Sequence, residues 1–171
     1  HVEKEPQLNA RARDAIVDSI GTVFAGLEED SVLQVRKLAA RETREGRASV
    51  LGTPLKLAAS GAAMANAAAA HALDYDNISL TVSGFIASPV LFSALAVAEE
   101  EGGVTGKRLL EAFIVGWEVE AAIARGLGVH HYAKGWHSTS TLAHFGAAVA
   151  VGKILGFDAQ RMQYAIGTAA A

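Results

Sequence analysis

The chain has 171 residues, about half of them hydrophobic, with a formal net charge of -3 and no cysteine. It is long enough to bury a core as one globular domain, and its near-neutral balance gives no argument for nucleic acid or an anionic membrane surface as partner. Without cysteine there are no disulfides, thiolate zinc sites or Cys-ligated iron-sulfur clusters from these residues.

No stretch approaches 18 strongly apolar residues: the candidate from Gly61 to Leu73 is mostly alanine, carries Asn66 and His71, and runs into Asp74. The opening residues His1 to Pro6 are polar and lack the apolar core of a signal peptide, so the expected location is cytoplasmic. The sequence stops within an alanine-rich helical stretch, and we expect these residues to be part of a longer protein.

From Pro6 to about Leu27, apolar residues recur at intervals of three and four, the spacing of a helix buried along one stripe. A second helix is expected from Asp30 or Ser31, either able to cap it, to a stop at Gly46. Ala48 to Thr53 reads as a brief extended link. Ser60 can cap a third helix through Ala62, Ala65, Ala69 and Ala72, whose small side chains let neighbouring helices approach closely and place it in the middle of a bundle. Residues 74–88 read as a loop. Ser88-Pro89 then has the form of a helix start, followed by a helix to Glu101 and a stop at Gly102-Gly103.

Thr105 can cap the next helix, which carries Leu109, Phe113, Trp117 and Ile123 to about Arg125. An irregular stretch follows. A helix from about Ser140 ends near Gly156, and Asp158 caps the last one. Seven helices with short connections and no period-two alternation predict an all-α multi-helix bundle in a single domain.

Two places carry possible chemistry. Gly135-Trp136-His137-Ser138-Thr139-Ser140-Thr141 sets a glycine hinge, an imidazole and four hydroxyls at a helix mouth, where free amides and the positive dipole end can hold a carboxylate. The His137 imidazole could accept or donate a proton; the plainer reading is a helix cap beside a hydrogen-bonded loop histidine. Asp74 and Asp76 follow a helix C-terminus, an unfavourable place for carboxylates that can fit one for proton exchange, although Asp and Asn are also ordinary turn residues. The spacings of His130, His131 and His137, or of His71 and Asp74, match no recurrent zinc arrangement, so no metal is expected. Gly126-Leu127-Gly128 lacks the third glycine of a dinucleotide loop.

Taken together, several stretches resemble the MmgE/PrpD family, which includes 2-methylcitrate dehydratase, cis-aconitate decarboxylase and iminodisuccinate epimerase. The matching text is Ala65-Asn66 through His71-Ala72-Leu73-Asp74-Tyr75-Asp76, then Ser88-Pro89-Val90, Gly116-Trp117-Glu118-Val119 with Arg125, Gly135 to Thr141, Gly146-Ala147-Ala148, and Leu155-Gly156-Phe157-Asp158. The resemblance implies a large helical domain, continued beyond residue 171 by more helices and an α+β lid, in a homodimer. It also implies cofactor-free reactions next to a carboxylate of a small di- or tricarboxylic acid.

Asp74 matches an active-site aspartate of the family and His137 the histidine of its Gly-aromatic-His motif, while Tyr75 and Asp76 share the aspartate's loop. With Trp136, Ser138, Thr139 and Ser140 these are the expected substrate contacts. Where relatives usually have Asp-Asp-Thr and His-Pro-Ser, this chain has Asp76-Asn77-Ile78 and Phe85-Ile86-Ala87. A loop hydroxyl and a second histidine are thereby replaced. The leading expectation is a hydro-lyase of the 2-methylcitrate dehydratase type. An epimerase or decarboxylase of the same family, or a non-catalytic helical oligomerisation or binding module, stand as alternatives.

Overall fold

The computed structural model describes residues 5–171. Helix α1 (Pro6–Gly26) starts with proline in its first turn, where the missing amide hydrogen has no helical partner to lose. Helix α2 (Asp30–Glu42) follows, with Glu29 rather than Asp30 or Ser31 at the capping position. The helix ends at Glu42, short of the expected stop at Gly46, and a strand, β1 (Glu45–Ser49), follows, paired antiparallel with β2 (Lys56–Leu57); it shares only Ala48 and Ser49 with the expected extended link.

Glutamates at the end of the fourth helix hold β1 from outside the sheet. The Ser49 amide donates to Glu99 at 2.6 Å and the Arg47 amide to Glu100 at 3.0 Å. The alanine-rich helix is α3 (Ala59–His71), and it packs against α1, α2 and the fourth helix. Its buried Asn66 accepts from the Leu51 amide and donates to the Ser49 carbonyl, both at 2.9 Å, so its amide group is paired with the chain just after β1.

The loop at 74–88 contains a minimal hairpin, β3 (Ile78–Ser79) with β4 (Gly84–Phe85). Helix α4 (Ala87–Glu101) is the centre of the bundle and contacts α1, α3 and the two long helices that follow. Its Val90, Leu91, Phe92 and Ala94 are fully buried. Each large apolar side chain buried in this way contributes about 1.5–3 kcal/mol, which anchors the other helices to α4.

Helix α5 (Gly106–Leu127) is capped by Thr105, whose hydroxyl accepts from the Arg108 amide. A four-residue helix, α6 (His130–Ala133), occupies the stretch expected to be irregular. Helix α7 (Ser138–Leu155) ends at Gly156 in the left-handed conformation, and Asp158 caps α8 (Ala159–Ala169). The described residues thus form an all-α bundle of eight helices with two small sheets, and the eighth is the short α6. None of these helices is long and apolar enough to cross a membrane.

Candidate functional site

His137 is the residue just before α7, with φ -71° and ψ 113°, and its carbonyl accepts from the Thr141 amide at 3.2 Å. The helix therefore begins two residues earlier than its sequence pattern suggests. Ser138, Thr139 and Ser140 lie in its first turn, where amides have no helical acceptor. The His137 ring is exposed and stands 6.1 Å from that of Tyr132. Gly135, at φ +92°, makes the turn between α6 and this mouth, a conformation that disfavours any side chain. Trp136 is exposed and stacks on His131, whose Nε2 lies 2.7 Å from the Thr141 hydroxyl.

The loop after α3 meets this mouth through backbone contact. The Phe85 amide donates to the Thr139 hydroxyl at 2.8 Å. The close approach depends on Gly84: a Cβ there would fall 2.9 Å from the Thr139 hydroxyl oxygen and 3.1 Å from the Ser138 Cβ. Ser138 is buried beneath this contact, Thr139 is half-buried and Ser140 is exposed. Thr139 and Thr141 hydroxyls are thus engaged by protein groups at the mouth.

Along the same loop the two aspartates part company. Asp74 is exposed, in the left-handed conformation at φ 58°, which aspartate tolerates better than most residues, and its amide donates to the His71 carbonyl. Tyr75 beside it is also exposed. Asp76 turns inward, with a side chain only 1% exposed. One of its carboxylate oxygens is 3.0 Å from His71 Nδ1 and the other accepts from the Ser88 hydroxyl at 3.0 Å. Both oxygens are thereby occupied by protein partners, and the side chain braces the loop against α3 and α4.

Three polar residues gain a significance that local pattern does not give them. His71 and Ser88 are joined through Asp76, and Ser88 does not serve as the cap of α4, which has Ile86 at that position. The third is Glu120, fully buried on α5. Neither of its carboxylate oxygens has a hydrogen-bond partner among the described residues, and burial pushes its pKa up from 4.5 to about 8. One oxygen lies 2.6 Å from where a Cβ on Gly146 of α7 would sit, so the missing side chain there makes its room. The signal for Glu120 was its place, three residues after the half-buried Trp117 and four before the buried Ala124.

Among the described residues no three His, Asp or Glu side chains converge as a metal cluster would require. A cavity of about 260 Å³ between α1 and α5, lined by Leu8, Phe113 and Trp117 among others, includes none of the expected site residues. The chemistry available at the mouth of α7 is therefore an exposed imidazole and first-turn amides suited to an anion, with an exposed carboxylate on the loop joined to it.

The chain is 29% identical over 164 residues to cis-aconitate decarboxylase of Aspergillus terreus, and to the same extent to that of strain NIH 2624 / FGSC A1156 of this organism. The alignment covers 93% of this chain and 34% of each relative, so the chain spans about a third of their length. The model of the MmgE/PrpD N-terminal domain matches residues 2–171. The breadth of that match, in a helical bundle with this loop and this helix mouth, places the chain in the MmgE/PrpD family, as its N-terminal domain.

Proposed function

We propose that the full-length protein is a cofactor-free lyase of the 2-methylcitrate dehydratase type, acting beside a carboxylate of a small di- or tricarboxylic acid in a homodimer. The observation that carries this reading is His137 at the mouth of α7, bound through Thr139 to the loop that bears Asp74. His137 exchanges a proton at the carbon next to the carboxylate or on the leaving hydroxyl, and Asp74 orients or assists it. The first-turn amides of α7 and the exposed Ser140 hydroxyl receive a substrate carboxylate, with Trp136 and Tyr75 bordering it, while Ser138 and Thr139 hold the mouth against the loop.

A decarboxylase is the second reading, favoured by the similarity to the two Aspergillus cis-aconitate decarboxylases. Full-length protein incubated with citrate-like acids and cis-aconitate in deuterated water distinguishes the two. Deuterium uptake with loss of water supports the dehydratase, and uptake with loss of carbon dioxide the decarboxylase. Uptake alone indicates an epimerase, and no reaction with any acid rejects enzymatic function of this kind.

A further inference from the structure

His71 occupies the last turn of α3 and its side chain is 44% exposed, whereas its partner Asp76 is only 1% exposed. A carboxylate can only accept, so the contact at 3.0 Å places the ring hydrogen on Nδ1 and leaves the lone pair of Nε2 available. Asp76 is in turn fixed by the Ser88 hydroxyl and sits at the start of α4, where the helix dipole favours negative charge. Removing a carboxylate from water costs several kcal/mol unless its lone pairs are satisfied. Here they are satisfied by one hydroxyl and one imidazole, an arrangement that orients the imidazole.

The His71 ring packs edge-on against Phe85, with centroids 4.7 Å apart and planes at 61°. The amide of that same Phe85 is bound to Thr139 in the first turn of α7. Phe85 thus links the two elements, its ring against His71 and its amide on the first turn of α7, at whose mouth His137 stands. Elimination beside a carboxylate needs one group to take a proton from carbon and another to give one to the departing hydroxyl.

We propose that His71, held in one tautomer by Asp76 and Ser88, is the proton-accepting partner of His137. The proposal rests on the lyase reading above. Nε2 of His71 takes the proton from the carbon next to the carboxylate, and His137 gives its proton to the hydroxyl. The C–H and C–O bonds break, a C=C bond forms and water departs. The carboxylate of Asp76 stabilises the imidazolium formed at His71, and exchange with solvent returns both rings to their starting states. Asp76 and Ser88 are positioning residues in this scheme.

The test compares full-length wild type with His71→Gln and Asp76→Asn. We expect His71→Gln to lower kcat at least about a hundredfold with substrate affinity within a few-fold of wild type. We expect Asp76→Asn to displace the limb of the kcat pH profile that belongs to the accepting group, a change that a purely structural role would not produce. In labelled wild type, histidine ring NMR should show His71 as the Nδ1–H tautomer, with ring signals that move when the acid is added.

An active wild type whose His71→Gln variant turns over equally fast overturns the proposal and leaves the lyase reading standing. Should His71→Gln not fold, ring signals of wild-type His71 that are indifferent to saturating acid overturn it instead. A wild type inert towards every acid removes the lyase reading and this proposal together.

Discussion

The backbone amide of Phe85 donates to the side-chain hydroxyl of Thr139 at 2.8 Å across 54 residues of sequence. This bond joins the acidic loop after α3 to the first turn of α7, and the absent side chain of Gly84 permits the approach. Two segments that are unremarkable separately become one surface through it.

Replacing Thr139 with valine keeps the branched shape and removes the acceptor. The Phe85 amide is then left without its partner in a half-buried position, at an expected cost of about 1–2 kcal/mol. Urea denaturation of the Thr139→Val chain should show this as a lower midpoint at unchanged slope. An unchanged midpoint would mean that the bond adds nothing to holding the loop.

Asn66 gives a second check on how the bundle holds its edge. Its amide pairs with the Leu51 N–H and the Ser49 carbonyl, both at 2.9 Å. In Asn66→Leu both backbone groups lose their partner, which should cost about 2–4 kcal/mol, although leucine fills similar space. Thermal unfolding of the two chains would measure it. A variant as stable as the parent would show that the segment after β1 is held by its sheet and by Glu99 alone.

Much of this architecture is legible from residue spacing because most of it is local. Thr105 and Asp158 precede helices and cap them, as their position in the sequence suggests. Ser88 looks equally suited, yet its hydroxyl goes to Asp76, twelve residues earlier, and the helix starts before it. That choice depends on where the loop folds back, which no local pattern records. The strand at Glu45–Ser49 escapes for a similar reason: its residues do not alternate, and it is held by Leu57, Glu99 and Glu100 from elsewhere in the chain. At the site, His137 and Asp74 are recognisable by motif, whereas the link between His71 and Asp76 appears only once α3 has ended and the chain has turned.

His137→Ala tests the role given to the imidazole at the mouth of α7. Because the ring is exposed and its carbonyl, not its side chain, serves the helix, the fold should survive the change. Acid–base assistance is worth about 10² to 10⁴ in rate, so full-length His137→Ala should lose at least a hundredfold in kcat. Turnover equal to wild type would remove His137 from the mechanism.

Glu120 makes a prediction about pH that is independent of the reaction. In the folded chain its carboxyl titrates near 8 because burial disfavours the charged form, whereas its ordinary value is 4.5. Between those two values the folded state keeps a proton that the unfolded state has released. Stability therefore falls as pH rises through this window, by up to about 1.4 kcal/mol per pH unit from this group, and the loss is complete above 8. Glu120→Met replaces the carboxyl with an apolar group of similar size beside Gly146 and removes that dependence. Denaturation of parent and variant at pH 5, 7 and 9 should give curves that diverge as pH rises, with Glu120→Met the more stable at pH 9. Parallel curves would mean that the carboxyl reaches water or a partner in the folded chain.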